Sequence, residues 1–144
     1  MALLQNRLLI DAVLALLIAQ VSKGLIALVQ ERRFNFHYIA GSGGMPSSHS
    51  AFVTALATSA GKQLGLESPV FAVCVVLAAI VMYDAAGVRR AVSVQARILN
   101  QMMEDYFEKK GLQQERLREL IGHTPFQVLI GAILGFLVGF LVTP

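Results

Sequence analysis

The sequence predicts an all-α fold, an integral membrane bundle of four transmembrane helices with an amphipathic helical connector between the third and fourth. Three observations predict it. The chain of 144 residues is 56% hydrophobic, with a mean hydropathy of +0.63, above the apolar share of soluble domains, so lipid is the expected solvent. Four segments, 8–29, 50–66, 69–88 and 125–142, approach the roughly 17–25 apolar residues that a span requires. Between the last two, Val94, Ile98, Met102 and Tyr106 recur at helical spacing, with Leu99, Met103 and Phe107 beside them. One domain, residues 1–144, accounts for the chain.

The first helix opens in MALLQNRLLID, which lacks a basic leader and an A-x-A cleavage site, so it is expected to be retained as a membrane helix. Its Gln20, Lys23, Ala27 and Gln30 share one face by their spacings of three and four. A charge at the bilayer centre costs about 3 kcal/mol even on the insertion scale, so Lys23 either faces protein or water or snorkels to the interface. The second helix follows GGMPSSHS, residues 43–50. A short turn, 65–69, makes the second and third helices an antiparallel hairpin, with Pro69 suited to a first helical turn. The third helix ends in DAAGVRR, placing Asp84, Arg89 and Arg90 in its last turns. After the amphipathic connector, GLQQERLRELIG reads as a second, short polar helix bounded by Gly111 and Gly122, with the mixed charges of a solvated face. In the last span Gly131, Gly135 and Gly139 repeat every fourth residue, a groove suited to internal packing and as readily to a homo-oligomer.

Parity then distributes the loops. If the N-terminus is on side A, residues 30–45, the end of the third helix and the connector are on side B. The formal charge of +3 and pI near 9.4 come without an aromatic-plus-basic pattern or a DNA-reading helix pair, so no nucleic-acid partner is expected. The expected partners are the lipid bilayer and phosphate. The single cysteine, Cys74, lies in an apolar run and reads as a small hydrophobe, so no disulfide or thiol-bound metal is expected.

Side B gathers the chemistry. Lys23, Arg32, Arg33, Arg89 and Arg90 outnumber Glu31 and Asp84 there, and the arginine fork suits phosphate oxygens. One acid and two bases could also simply pair. His49 stands at the start of the second helix and His123, in GHTPFQV, at the start of the fourth. Each is beside a turn former and a helix N-terminus, where bare N–H groups and the dipole favour an anion. A lone histidine is usually structural, but two arriving at one level from remote positions suggest shared work. His37 has no such setting and reads as a loop or interfacial residue. In this reading the basic residues hold a phosphate, Ser47, Ser48 and the Gly43-Gly44 backbone donate to it, and two imidazoles divide a double displacement that needs no metal and no cofactor.

GGMPSSHSAFV, VMYDAAGVRRAV and GHTPFQVLIGAILG together resemble the type 2 phosphatidic acid phosphatase superfamily, in its divergent, small bacterial and plastid-type branch. The superfamily motif P-S-G-H implies that His49 is the general acid, with Ser48 in place of glycine. The motif S-R-x5-H-x3-D implies that His123 is the nucleophile, forming a phosphohistidine. Here that motif is split, because more than thirty residues separate Arg90 from His123. Gln127 occupies the place of the motif's orienting carboxylate, so Asp84 is the substitute candidate for that role. The motif K-x6-R-P is present only loosely, as Lys23 with Arg32 or Arg33.

Ten of twelve Lys and Arg residues fall on side B, leaving Arg7 and Lys62 on side A, so side B is expected to be cytoplasmic in a plasma (inner) membrane, with both termini outside. A cytoplasmic mouth favours a phospholipid phosphate made inside the cell. Phosphatidylglycerophosphate fits, and the resemblance implies the same, with phosphatidate and polyprenyl pyrophosphate open. A different class also stays open on the residues: a non-catalytic four-helix scaffold or small anion transporter, which predicts no turnover.

Overall fold

The computed structural model describes residues 5–31, 44–108 and 122–144, and every regular element among them is helical. In chain order these are α1 (Arg7–Glu31), α2 (Ser48–Leu64), α3 (Pro69–Ala86), α4 (Val88–Glu108) and α5 (Pro125–Val142). The expected polar helix over 111–122 falls almost wholly outside the described residues. So do Arg32, Arg33, His37 and Gly43.

Local chemistry sets the ends. Asn6 opens α1, its side-chain oxygen accepting from the Leu9 N–H at 3.2 Å. Ser47 caps α2, Ser68 caps α3 with Pro69 in its first turn, and Thr124 caps α5 with Pro125 following. Thr124 and Gln127 form a reciprocal capping box. Gly65, at φ +86°, ends α2 in a conformation that side chains disfavour. Gly87 separates α3 from α4, so the expected third span stops at Ala86.

Among the described residues, three helical stretches, Arg7–Val29, Pro69–Glu104 and Pro125–Val142, are long and apolar enough to cross a membrane. The fourth expected span corresponds to α2, only 17 residues long, about 26 Å. It carries Ser, Thr and Lys because it is the central helix, packed against α1, α3 and α5, and lipid does not set its composition. Ser48, Ser50, Ala51, Val53, Ala55, Ala57, Ser59, Ala60 and Gly61 of α2 are all buried.

The core is built from small residues. Ala15 and Ala19 of α1, Ala51 and Ala55 of α2 and Val138 of α5 form one cluster. Large apolar residues point outward instead, Val21 at 60% and Leu141 at 75% exposure, as expected where hydrocarbon replaces water and helices associate by close van der Waals contact. The glycine stripe of α5 faces α2. A methyl group at Gly131 or Gly135 would overlap the carbonyl oxygen of Ser47 or Ala51, and at Gly139 it would lie 2.9 Å from that of Ala55. Both series advance by four residues, so the backbones of two parallel helices run in contact along their length. The stripe offered by the sequence to a second copy is thus covered within the chain.

At the side A end, buried Asp11 of α1 accepts hydrogen bonds from Ser59 of α2 (3.0 Å) and Thr143 after α5 (2.7 Å). Lys62 donates to the Phe140 (2.8 Å) and Thr143 carbonyls at the C-terminal end of α5, where a cation also complements the helix dipole. At the other end, α4 presents Val94, Ile98, Met102 and Tyr106 as exposed residues, the face of a helix suited to a membrane surface.

Candidate functional site

The parallel pairing of α2 and α5 brings two helix N-termini to the same end of the bundle. A backbone hydrogen bond from Ser47 N–H to the Gln127 carbonyl, 3.1 Å, clamps them side by side. Bare amide hydrogens and two positive dipole ends therefore converge, a setting that attracts an anion.

Around this junction the structure brings together three of the candidate residues. His49 in the first turn of α2, Asp84 in the last turn of α3 and His123 just ahead of α5 line one cleft with Val81 and Ala85. Its volume is ≈ 20 Å³, about the room of one water molecule. The two rings differ in setting: His49 is exposed, whereas His123 is only 3% exposed. Asp84 is half-buried.

A buried cation lies under the turn that leads into α2. Lys23 of α1 is 2% exposed, and its Nζ has no hydrogen-bond partner among the described residues. Gly44 makes the burial possible. It sits at φ +78°, and a Cβ there would lie 3.2 Å from Lys23 Cγ and 3.3 Å from Cδ, so the turn closes over the lysine stem as only glycine permits. A buried ammonium without a partner is costly, and an anionic ligand would relieve that cost.

The remaining candidates take other positions. Ser47 is fully buried, and its Oγ accepts from Ser50 N–H (3.4 Å) and Ser50 Oγ–H (2.9 Å), so its hydroxyl serves the start of α2. Ser48 is also buried, and neither serine lines the cleft of the two histidines. Arg89 and Arg90 belong to the first turn of α4, two and three residues past the Gly87 break.

One contact was not anticipated. The Gln127 side-chain oxygen lies 3.3 Å from His123 Nδ1 and also accepts from the Thr124 N–H at 3.0 Å. The spacing T-P-F-Q carried the signal, since a capping box folds the residue at its fourth position back over the start of the helix.

Comparison with known proteins agrees with this architecture. Residues 4–138 match the Divergent PAP2 family. The chain is 39% identical over 149 aligned positions to the uncharacterized membrane protein YuiD of Bacillus subtilis (strain 168), covering 96% of this chain and 94% of that protein. No solved structure matches the chain.

Proposed function

This chain belongs to the Divergent PAP2 family, and we propose that it is a lipid-phosphate phosphatase of the plasma membrane that dephosphorylates phosphatidylglycerophosphate at the cytoplasmic face. The observation that carries the reading is the shared cleft of His49 on α2, Asp84 on α3 and His123 just ahead of α5. The buried Lys23 ammonium and the two helix N-termini beside it supply the anion affinity such a substrate needs.

In this mechanism the His123 ring attacks phosphorus and the bond to the lipid glycerol oxygen breaks. The electron pair leaves on that oxygen, and protonated His49 delivers the proton that makes it a hydroxyl. Phosphatidylglycerol departs, leaving a phosphohistidine. Neutral His49 then takes a proton from water, whose oxygen attacks phosphorus, releasing inorganic phosphate and restoring both rings. The exposed position of His49 suits a group that exchanges protons with water, and the dry position of His123 suits a nucleophile. Lys23, Arg89 and Arg90 are the groups assigned to the charge on the phosphoryl oxygens.

The experiment is phosphate release by the detergent-solubilised chain from phosphatidylglycerophosphate, with phosphatidate and polyprenyl pyrophosphate as competitors. His49→Ala and His123→Ala should each lower kcat by 100-fold or more, on the order of what an acid–base or nucleophilic group supplies, and vanadate should inhibit the parent. A well-folded protein that releases no phosphate from any of the three lipids would favour a non-catalytic membrane scaffold or anion carrier.

A further inference from the structure

We infer that Gln127 holds His123 as the Nδ1–H tautomer, so that Nε2 carries the lone pair, and does this without placing a charge beside the ring. The first step is an assignment of atoms. A backbone N–H can only donate, so the Gln127 side-chain atom 3.0 Å from Thr124 N is its oxygen. That same oxygen lies 3.3 Å from His123 Nδ1 and bears no hydrogen, so the hydrogen between them belongs to Nδ1. The acceptor is itself fixed at two further points. Gln127 N–H donates to Thr124 Oγ1 at 3.3 Å, and the Gln127 carbonyl accepts from Ser47 N–H at 3.1 Å. The tautomer is therefore set by the clamp that joins α5 to α2.

The second step concerns charge. A carboxylate at this place would favour the imidazolium form and raise the pH at which the ring becomes a nucleophile. An amide orients the ring equally well without that pull. Among the described residues, the titratable groups that line the cleft with His123 are His49 on α2 and Asp84 on α3. Among the described residues, Asp84 is the carboxylate that lines the cleft. On the phosphatase reading, which this inference rests on for its catalytic meaning, Nε2 is the attacking atom and Gln127 is a positioning residue.

The test uses the full chain in detergent micelles with nitrogen-15-labelled histidine, assigned with His37→Ala and His49→Ala, and reads the ring nitrogens by NMR across pH. Above its titration His123 should be the Nδ1–H form, the tautomer that free imidazole side chains disfavour. Gln127→Glu retains a residue that closes a capping box, so a purely structural role leaves the titration where it was. Positioning beside a neutral acceptor instead requires the His123 midpoint to rise by about one pH unit or more, and the acidic limb of kcat/KM to rise with it. Gln127→Leu, if it folds, should lose the tautomer preference. An Nε2–H ring in the parent, or an unmoved midpoint in Gln127→Glu, overturns the inference. These readouts do not need turnover, so an inactive protein with the Nδ1–H ring would sink the phosphatase reading alone.

Discussion

Lys23 shows how a single residue can conflict with the stability of its own fold. Its stem packs under Gly44 while its ammonium is buried without a hydrogen-bond partner among the described residues, an arrangement that an anion would complete. Lys23→Met keeps most of the stem and removes the charge. The thermal midpoint of the lipid-free protein should then stay level or rise, because an unpaired buried charge is lost. At the same time kcat/KM for phosphate release should fall about 10–100-fold, the worth of a charge-assisted hydrogen bond. A variant that is destabilised and fully active would show that the lysine serves packing alone. The placing of His49 and His123 near helix starts is legible in the sequence, whereas the role of Gln127 is not, because the motif it departs from has a carboxylate at that place. Its contact depends on how the side chain folds back over the turn, which spacing suggests and only coordinates display.

At the scale of elements, the pairing of α2 with α5 decides the site. Gly131, Gly135 and Gly139 let the two backbones touch, and Ser47, Ala51 and Ala55 are the surface they touch. Gly135→Ala places a methyl on the Ala51 carbonyl, and overpacking of this kind should cost about 1–3 kcal/mol, read as a lowered unfolding midpoint in detergent. Because the stripe is covered by α2, the same substitution should leave the oligomeric state by crosslinking unchanged. A shift in that state would show that the glycines also meet a second copy. The four-residue repeat was plain in the sequence, but its partner was not, since a glycine groove accepts any small-faced helix. α2 itself was expected as a span like the others. Its 17 residues and its Ser and Thr content reflect a helix surrounded by three neighbours.

For the whole molecule, the question is its orientation in the membrane. Charge asymmetry predicts a cytoplasmic cleft, and the chain itself permits a direct check. In a Cys74→Ala background, Glu67→Cys lies in the exposed turn between α2 and α3 and Gln101→Cys on the exposed surface of α4. A membrane-impermeant thiol reagent added to intact cells should label the first and spare the second. Labelling of position 101 alone would turn the molecule over and, with it, the argument for a substrate made inside the cell. The Asp11, Ser59 and Thr143 tie closes the opposite end of the bundle. A buried carboxylate in the first span carried no visible mark of that role, because its two partners lie 48 and 132 positions away.

By itself the amino-acid order determined the helical class, the membrane as solvent, the turn over 65–69 with Pro69 in the helix start after it, and the two histidines near the starts of the second and last spans. These follow from local composition and from spacing within one or two turns, where hydropathy and backbone hydrogen bonding act. Tertiary structure alone decided that α2 is central, that the glycines face it, that Lys23 lies under Gly44 and that Gln127 meets His123. Such choices depend on which small surfaces fit one another at van der Waals distance, and in lipid nearly every apolar face is an acceptable one until the backbones meet.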